Sequence, residues 1–219
     1  MTKPVIAIDG PAASGKGTLA RTLAKNLNFA YLDTGALYRA VGYMVLQSGQ
    51  DPADEEAAET AAMVLCNSVS AEFLANPALK TDEAGQAASQ VATMPHVRNA
   101  LLTLQKDFAK HPPHGAKGAI LDGRDIGTVI CPDAPLKLFV TANTEIRAER
   151  RLKELQSKGI AVTYEAVLKD MRERDARDTS RTTAPMKPAD DAIILDSSHL
   201  TAEDVLEQAQ TLVKIRLDL

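Results

Sequence analysis

The residues best able to do chemistry open the chain: Gly10-Pro11-Ala12-Ala13-Ser14-Gly15-Lys16-Gly17-Thr18. An apolar run, Val5 to Ile8, ends in Asp9 just before them, and an apolar-periodic stretch follows at once. Gly-x-x-x-x-Gly-Lys between a strand and a helix is the pattern of a loop that cradles phosphate. Glycines 10 and 15 allow a tight turn that brings backbone N–H groups against phosphate oxygens, and the positive end of the next helix adds attraction. Lys16 reaches the β- and γ-phosphates in this reading. Gly17 stands where a magnesium-holding hydroxyl usually follows the lysine, and the hydroxyl comes one place later, at Thr18. Mg²⁺ is therefore expected to be held mainly through nucleotide and water, with Thr18 or Asp33 nearby. No dedicated protein metal site is expected.

The second concentration of chemistry is cationic. Seven arginines fall between residues 147 and 181: Arg147, Arg150, Arg151, Arg172, Arg174, Arg177 and Arg181. Arg147 and Arg151 are four apart and share a helix face. Acidic neighbours would neutralise a merely solvated face. Arginine rather than lysine suits bidentate phosphate contacts, and the group flanks a turn at Lys158-Gly159. Arg147, Arg151, Arg174 and Arg181 are read as functional; Arg150, Arg172 and Arg177 stay undecided. Arg39 is a candidate clamp on a second phosphate opposite the loop. A donor triphosphate facing an acceptor phosphate needs such positive charge, because phosphoryl transfer is catalysed mainly by positioning and electrostatics. An acceptor phosphate oxyanion needs no general base. A kinase of a hydroxyl acceptor would need one, and Asp33 is the only fair candidate. A nucleotide-operated switch would need the hydroxyl that Gly17 replaces.

These groups must be held by a scaffold. Short apolar strands are expected at Val5 to Asp9, Phe29 to Leu32, Gly118 to Leu121, Leu136 to Val140 and Ile193 to Leu195. Helices are expected over Gly15 to Leu27, after Asp33-Thr34-Gly35 as far as Gly49, from Asp51-Pro52 onward, over Asp82 to Ala92, from Pro95, from a Thr144 cap to Gly159, from a Thr163 cap through Asp178, and after a Thr201 capping box. Val69 to Leu74 reads as a further strand. His111-Pro112-Pro113-His114-Gly115 reads as a solvated loop. Five strands alternating with helices mean an α/β fold, a doubly wound five-stranded parallel sheet, with ligands at the carboxyl ends of strands. Strand ends at Gly10, Asp33-Thr34-Gly35 and Gly123-Arg124-Asp125 should face one crevice.

The 219 residues carry 45% hydrophobic and 25% charged residues and a net charge of −4, which fits a soluble globular chain and argues against wholesale nucleic-acid binding. Two cysteines without metal spacing fit a reducing compartment. No signal peptide or membrane span is expected. A cytoplasmic monomer acting on small-molecule nucleotides, with no membrane partner, is the expectation.

The quoted residues resemble the nucleoside monophosphate kinases, and within them the bacterial cytidylate kinases. The Gly-Lys-Gly-Thr loop, Asp33-Thr34-Gly35-Ala36-Leu37-Tyr38-Arg39, Ala88-Ser89-Gln90-Val91-Ala92 with Val97-Arg98, Asp122-Gly123-Arg124-Asp125-Ile126-Gly127-Thr128 and Arg172-Glu173-Arg174-Asp175 with Arg177-Asp178 and Arg181 carry the likeness, from Val5 to about Leu206. The resemblance implies a P-loop kinase fold with a core at about 1–34, 116–146 and 190–219, an acceptor-binding part at about 35–115 and a lid at about 147–181. It implies transfer of the γ-phosphoryl group of ATP to CMP or dCMP, with Lys16, Arg124, Arg174 and Arg181 catalytic. Gly10 to Thr18 would bind ATP, and Arg181 with Arg147 and Arg151 would close over its phosphates. Thr34, Arg39, Arg124 and Arg174 would hold the acceptor; Ser89, Arg98 and Asp125 would read cytosine; Asp178 would orient the sugar. Ser68 to Gln86 is shorter than the insert that bacterial members usually carry.

Overall fold

A computed structural model describes residues 3–218. Five parallel strands form the sheet: β1 (Val5–Asp9), β2 (Ala30–Asp33), β3 (Ala119–Gly123), β4 (Leu136–Thr141) and β5 (Ile193–Asp196), in the order β2-β3-β1-β4-β5. This is the doubly wound architecture expected of five apolar runs separated by helices. Alternate residues of the buried strands serve opposite faces. Ile6, Ile8 and Ile120 pack with helices α1 (Lys16–Leu27) and α9 (Ala202–Leu217). Ala7, Ala119 and Leu121 pack with α2 (Thr34–Gln47), α3 (Glu55–Ser68) and α6 (Pro95–Lys110). Between α3 and α6 lie α4 (Ala71–Leu74), a 3₁₀ turn (Pro77–Lys80) and α5 (Asp82–Val91). A third, small core joins α7 (Thr144–Ser157) to α8 (Tyr164–Ser180) through Ala148, Leu155, Val167 and Met171, and Ala12 and Ala13 pack against it.

The register levels the strand ends. Asp9 lies beside Gly123, and Asp33 beside Asp122. Three chemically distinctive tips therefore meet at one edge of the sheet, as the strand-end rule requires.

Local expectations fail at three places. Val69 to Leu74 is not a strand, because the Ser70 hydroxyl accepts from Phe73 N–H and starts α4. Asp51 does not cap α3; it closes a turn by accepting from Ala53 N–H, and Asp54 caps the helix through Glu56 and Ala57. Thr144 is the first residue of α7, with Asn143 at the cap. Thr163 and Thr201 cap α8 and α9 as expected, the latter as a reciprocal box with Asp204.

Candidate active site

The phosphate loop owes its shape to left-handed backbone at Ala13 and Gly15 and to the close seat of Gly10. A Cβ on Gly10 would stand 2.0 Å from the carbonyl oxygen of Val140, so only glycine fits beside β4. Among the described residues, no backbone carbonyl accepts from the N–H groups of residues 13–17. These amides and the N-terminus of α1 form an anion-binding concavity. Lys16 folds back, its Nζ 3.4 Å from Pro11 O. Burial pushes its pKa down, and the Arg124 charge adds to that, against the pull of Asp122 and Asp33.

A cavity of about 740 Å³ opens in front of this loop. It is lined from β2 and α2 by Asp33 and Arg39, from β3 by Asp122 and Arg124, from α5 and α6 by Ser89 and Arg98, and from α8 by Arg174 and Asp178. Asp33 caps α2 by accepting from Ala36 N–H, and its other oxygen takes Arg39 Nη2 at 2.8 Å. Burial pushes the Asp33 carboxyl up, but Arg39 and Lys16 outweigh it and hold it below the ordinary range. The Thr34 hydroxyl donates to Asp122 O at 2.7 Å, so it braces α2 on β3 while lining the cavity.

Two buried ionic groups occupy the far wall. In one, Asp178 accepts from Arg124 Nε at 2.9 Å and from the Ser89 hydroxyl at 3.1 Å. Burial raises its pKa, yet the charges of Arg124 and Arg174 prevail and the net shift is downward. In the other, Asp125 is bonded to Arg98, whose guanidinium lies over the Tyr38 ring, and Arg181 Nη2 approaches at 3.4 Å. Arg174 differs from all of these. Its Nε is enclosed and, among the described residues, has no hydrogen-bond partner; the same is true of Arg39 Nε. Burial, then repulsion from Arg124, pushes its pKa down to about 10. Arg39 still pairs with Asp33 through Nη2, so Arg174 is the guanidinium on the cavity wall most open to an anion.

The family model of cytidylate kinase matches residues 6–215. The chain belongs to the cytidylate kinase family. It is 60% identical over 205 residues to the cytidylate kinase of Rhodospirillum rubrum, covering 94% of each chain. The cytidylate kinase of Granulibacter bethesdensis is 50% identical over 210 residues, with 96% of each covered. Among solved structures, an uncharacterized protein from Eubacterium ventriosum matches with a TM-score of 0.53 at 14% identity, covering 98% of this chain and 100% of that one. A sugar kinase from Janibacter matches at 0.50 and 15%, covering 97% and 95%. These two likenesses concern the fold alone.

Within this family member, two arginines have partners that the sequence did not suggest. Arg147 was expected over the donor phosphates, but all five of its N–H donors are already engaged, by Ala142 O, Ala12 O, Thr144 Oγ1 and both oxygens of Asp175. It is a buried brace between phosphate loop, α7 and α8. Arg181, also expected over the donor, lines the cavity and lies against Asp125, with its Nε on Ala184 O at 2.7 Å. The C-cap position after α8 turns it inward, and no sequence spacing reveals that. Arg151 lines the cavity and pairs with Asp82 and Glu154. Of the undecided arginines, Arg150 bonds the Ser197 hydroxyl, Arg172 pairs with Glu145, and Arg177 reaches Gln86 and Ser89.

Sequence reasoning passed over Asp122. A Cβ on Gly17 would lie 3.2 Å from its Oδ2, so the missing side chain after Lys16 makes room for this carboxylate. Tyr31 OH donates to it at 3.3 Å. Burial, with Asp33 nearby, pushes its pKa up. An aspartate near the carboxyl end of the strand beside the loop's own strand was the available signal.

Proposed function

We propose that this protein transfers the γ-phosphoryl group of ATP to CMP or dCMP, giving ADP and CDP or dCDP. The single observation that carries this reading is the cavity itself, which has a phosphate loop with Lys16 on one wall and the buried Asp125–Arg98 pair on the other. A pyrimidine monophosphate would span it, base on Asp125 and phosphate among Arg39, Arg124 and Arg174. Cytosine offers an N4 amino group for Asp125 and acceptors at N3 and O2 for Arg98. Uracil reverses that pattern at N4 and N3, so the same pair rejects UMP by leaving buried polar groups unpaired. Ser89 and Asp178 complete the nucleoside side.

The acceptor phosphate oxygen is already deprotonated at neutral pH and attacks without a base. Lys16 and the amides of Gly10 to Thr18 hold the donor's phosphates. Arg124 and Arg174 stabilise charge on the transferred group, and the cavity walls keep water away from it. Mg²⁺, when bound, neutralises the donor's phosphate oxygens. The carboxylates of Asp122, beside the space that Gly17 leaves, and Asp33, both close enough to act on the Lys16 charge, would suit a hydrated dication. Residues 147–181 act as a lid, residues 35–115 bind the acceptor, and the rest is core. The protein is read as a cytoplasmic monomer working on free nucleotides, and its net charge of −4 disfavours nucleic acid as a partner.

A coupled assay with ATP and a panel of monophosphates tests this. CMP and dCMP are expected to turn over best; turnover of AMP or UMP far above CMP would refute the cytosine reading.

A further inference from the structure

The Ile126–Ile130 segment is a single π-helical turn whose cap position is Asp125. An aspartate there ordinarily accepts from the first free amides of the turn. Asp125 makes no such bond, because its two oxygens face Arg98 and Arg181. The amides it neglects are not left bare. Ile126 N–H donates to Asp9 Oδ1 and Gly127 N–H to Asp9 Oδ2, both at 2.8 Å. Asp9 is the last residue of β1, 4% exposed, and lies beside Gly123 in the sheet. It stands one residue before the phosphate loop and 117 residues from the turn it caps.

We propose that Asp9 is a positioning residue for nucleobase selection: by capping the turn in place of Asp125, it leaves the Asp125 carboxylate free for Arg98, Arg181 and the base. The proposal rests on the base-reading role of Asp125 given above. Two carboxylates are needed because the duties conflict in direction. The cap must point back into the sheet, and the base reader must point into the cavity. Without Asp9, the shortest rearrangement turns Asp125 onto its own amides and away from Arg98. Burial pushes the Asp9 carboxyl up to about 7, against the pull of the two amides, so the cap is held at a cost that packing alone does not require. Asp9 itself does not line the cavity.

The test compares steady-state kinetics of Asp9→Asn, Gly127→Ala and Asp125→Ala with the parent, for CMP, UMP and ATP. In Asp9→Asn the side-chain amide can accept from only one of the two N–H groups and sets its own N–H₂ against the other. Losing a buried hydrogen bond of this kind is expected to raise KM for CMP about 10-fold and to cut the CMP-over-UMP preference in kcat/KM about 5-fold, with KM for ATP within about 2-fold of the parent. Equal rises in KM for ATP and CMP would overturn the proposal, since Asp9 would then be shaping the phosphate loop. A lower melting temperature with unchanged preference would overturn it too, as a purely structural role.

Gly127→Ala perturbs the same contact from the donor side, placing a Cβ 3.4 Å from Asp9 Oδ2 and 3.2 Å from Lys137 Cδ. A smaller shift in the same direction, again sparing ATP, supports the proposal, and it decides the matter if Asp9→Asn does not fold. An unchanged CMP-over-UMP preference in Gly127→Ala would count against it. Loss of preference in Asp125→Ala alone would overturn only the role of Asp9; preference retained in Asp125→Ala would overturn the base-reading role of Asp125 itself.

Discussion

Replacing Arg174 by methionine should make the protein more stable and much less active. The guanidinium sits among Arg124, Arg39 and Arg151, with Asp178 as its attractive partner and its Nε without any hydrogen bond. Its pKa falls to about 10, so the folded state holds its proton less tightly than the unfolded chain does. The penalty is present at every pH below about 10 and is relieved only as pH rises through that value. At about 1.36 kcal/mol per unit of pKa the penalty is at most about 3–4 kcal/mol. Partial exposure screens this to about 1–2 kcal/mol. For a chain of this size that raises the melting temperature by about 2–6 °C at pH 7. Activity goes the other way. A bidentate guanidinium on phosphate makes two charge-assisted bonds worth about 1.5–3 kcal/mol each, so kcat/KM for CMP should fall by about 10²–10⁴. Thermal unfolding of the nucleotide-free protein and initial-rate assays read the two effects separately. A melting temperature lower by more than about 3 °C, or a kcat/KM within about 5-fold of the parent, would refute the reasoning.

Three further substitutions probe the frame. Gly10→Ala drives a Cβ into Val140 O at 2.0 Å, and should give insoluble protein or a melting temperature lower by more than about 10 °C. Gly17→Ala moves the Asp122 carboxylate by contact at 3.2 Å while alanine suits the helix; stability should stay within about 1 kcal/mol, and a magnesium titration of the rate should show a higher half-saturation point. Asp178→Asn removes a carboxylate whose pKa is depressed, so its contribution is present above the ordinary carboxylate pKa and is lost as pH falls through the lower folded value. The variant should therefore be less stable than the parent at pH 7, and the gap in melting temperature should close on acidification; a gap that is constant with pH would sink the assignment.

Much of this was legible in the chain because local chemistry determined it. The apolar runs mark all five strands, and the Gly10–Lys16 spacing marks the loop, since each depends on neighbours in sequence. Cap competition was harder. Asp51 and Asp54 are both good caps three residues apart, and only packing of α3 on α2 decides which one serves. Long-range partnerships were not legible at all. Nothing near Arg147 in sequence shows that Ala12 O and Asp175 will take its donors. Nothing near Asp122 shows that it will face Gly17. Arg181 is a loop residue by sequence, and its inward turn depends on Asp125, 56 residues earlier.

The sheet order has a consequence for how the chain comes into being. Among the described residues, strand β1 pairs with β3 and β4 alone, and β2 with β3 alone. The register sets Val5 beside Ala119, 114 residues later. At synthesis rates of about 5–20 residues per second, β1 waits roughly 6 to 20 seconds for its first partner. Such distant pairing also slows folding, because the intervening loop must be closed before any contact rewards it. The seat of Gly10 comes later still, with Val140 on β4. The phosphate loop is thus made well before the strands that give it its working shape.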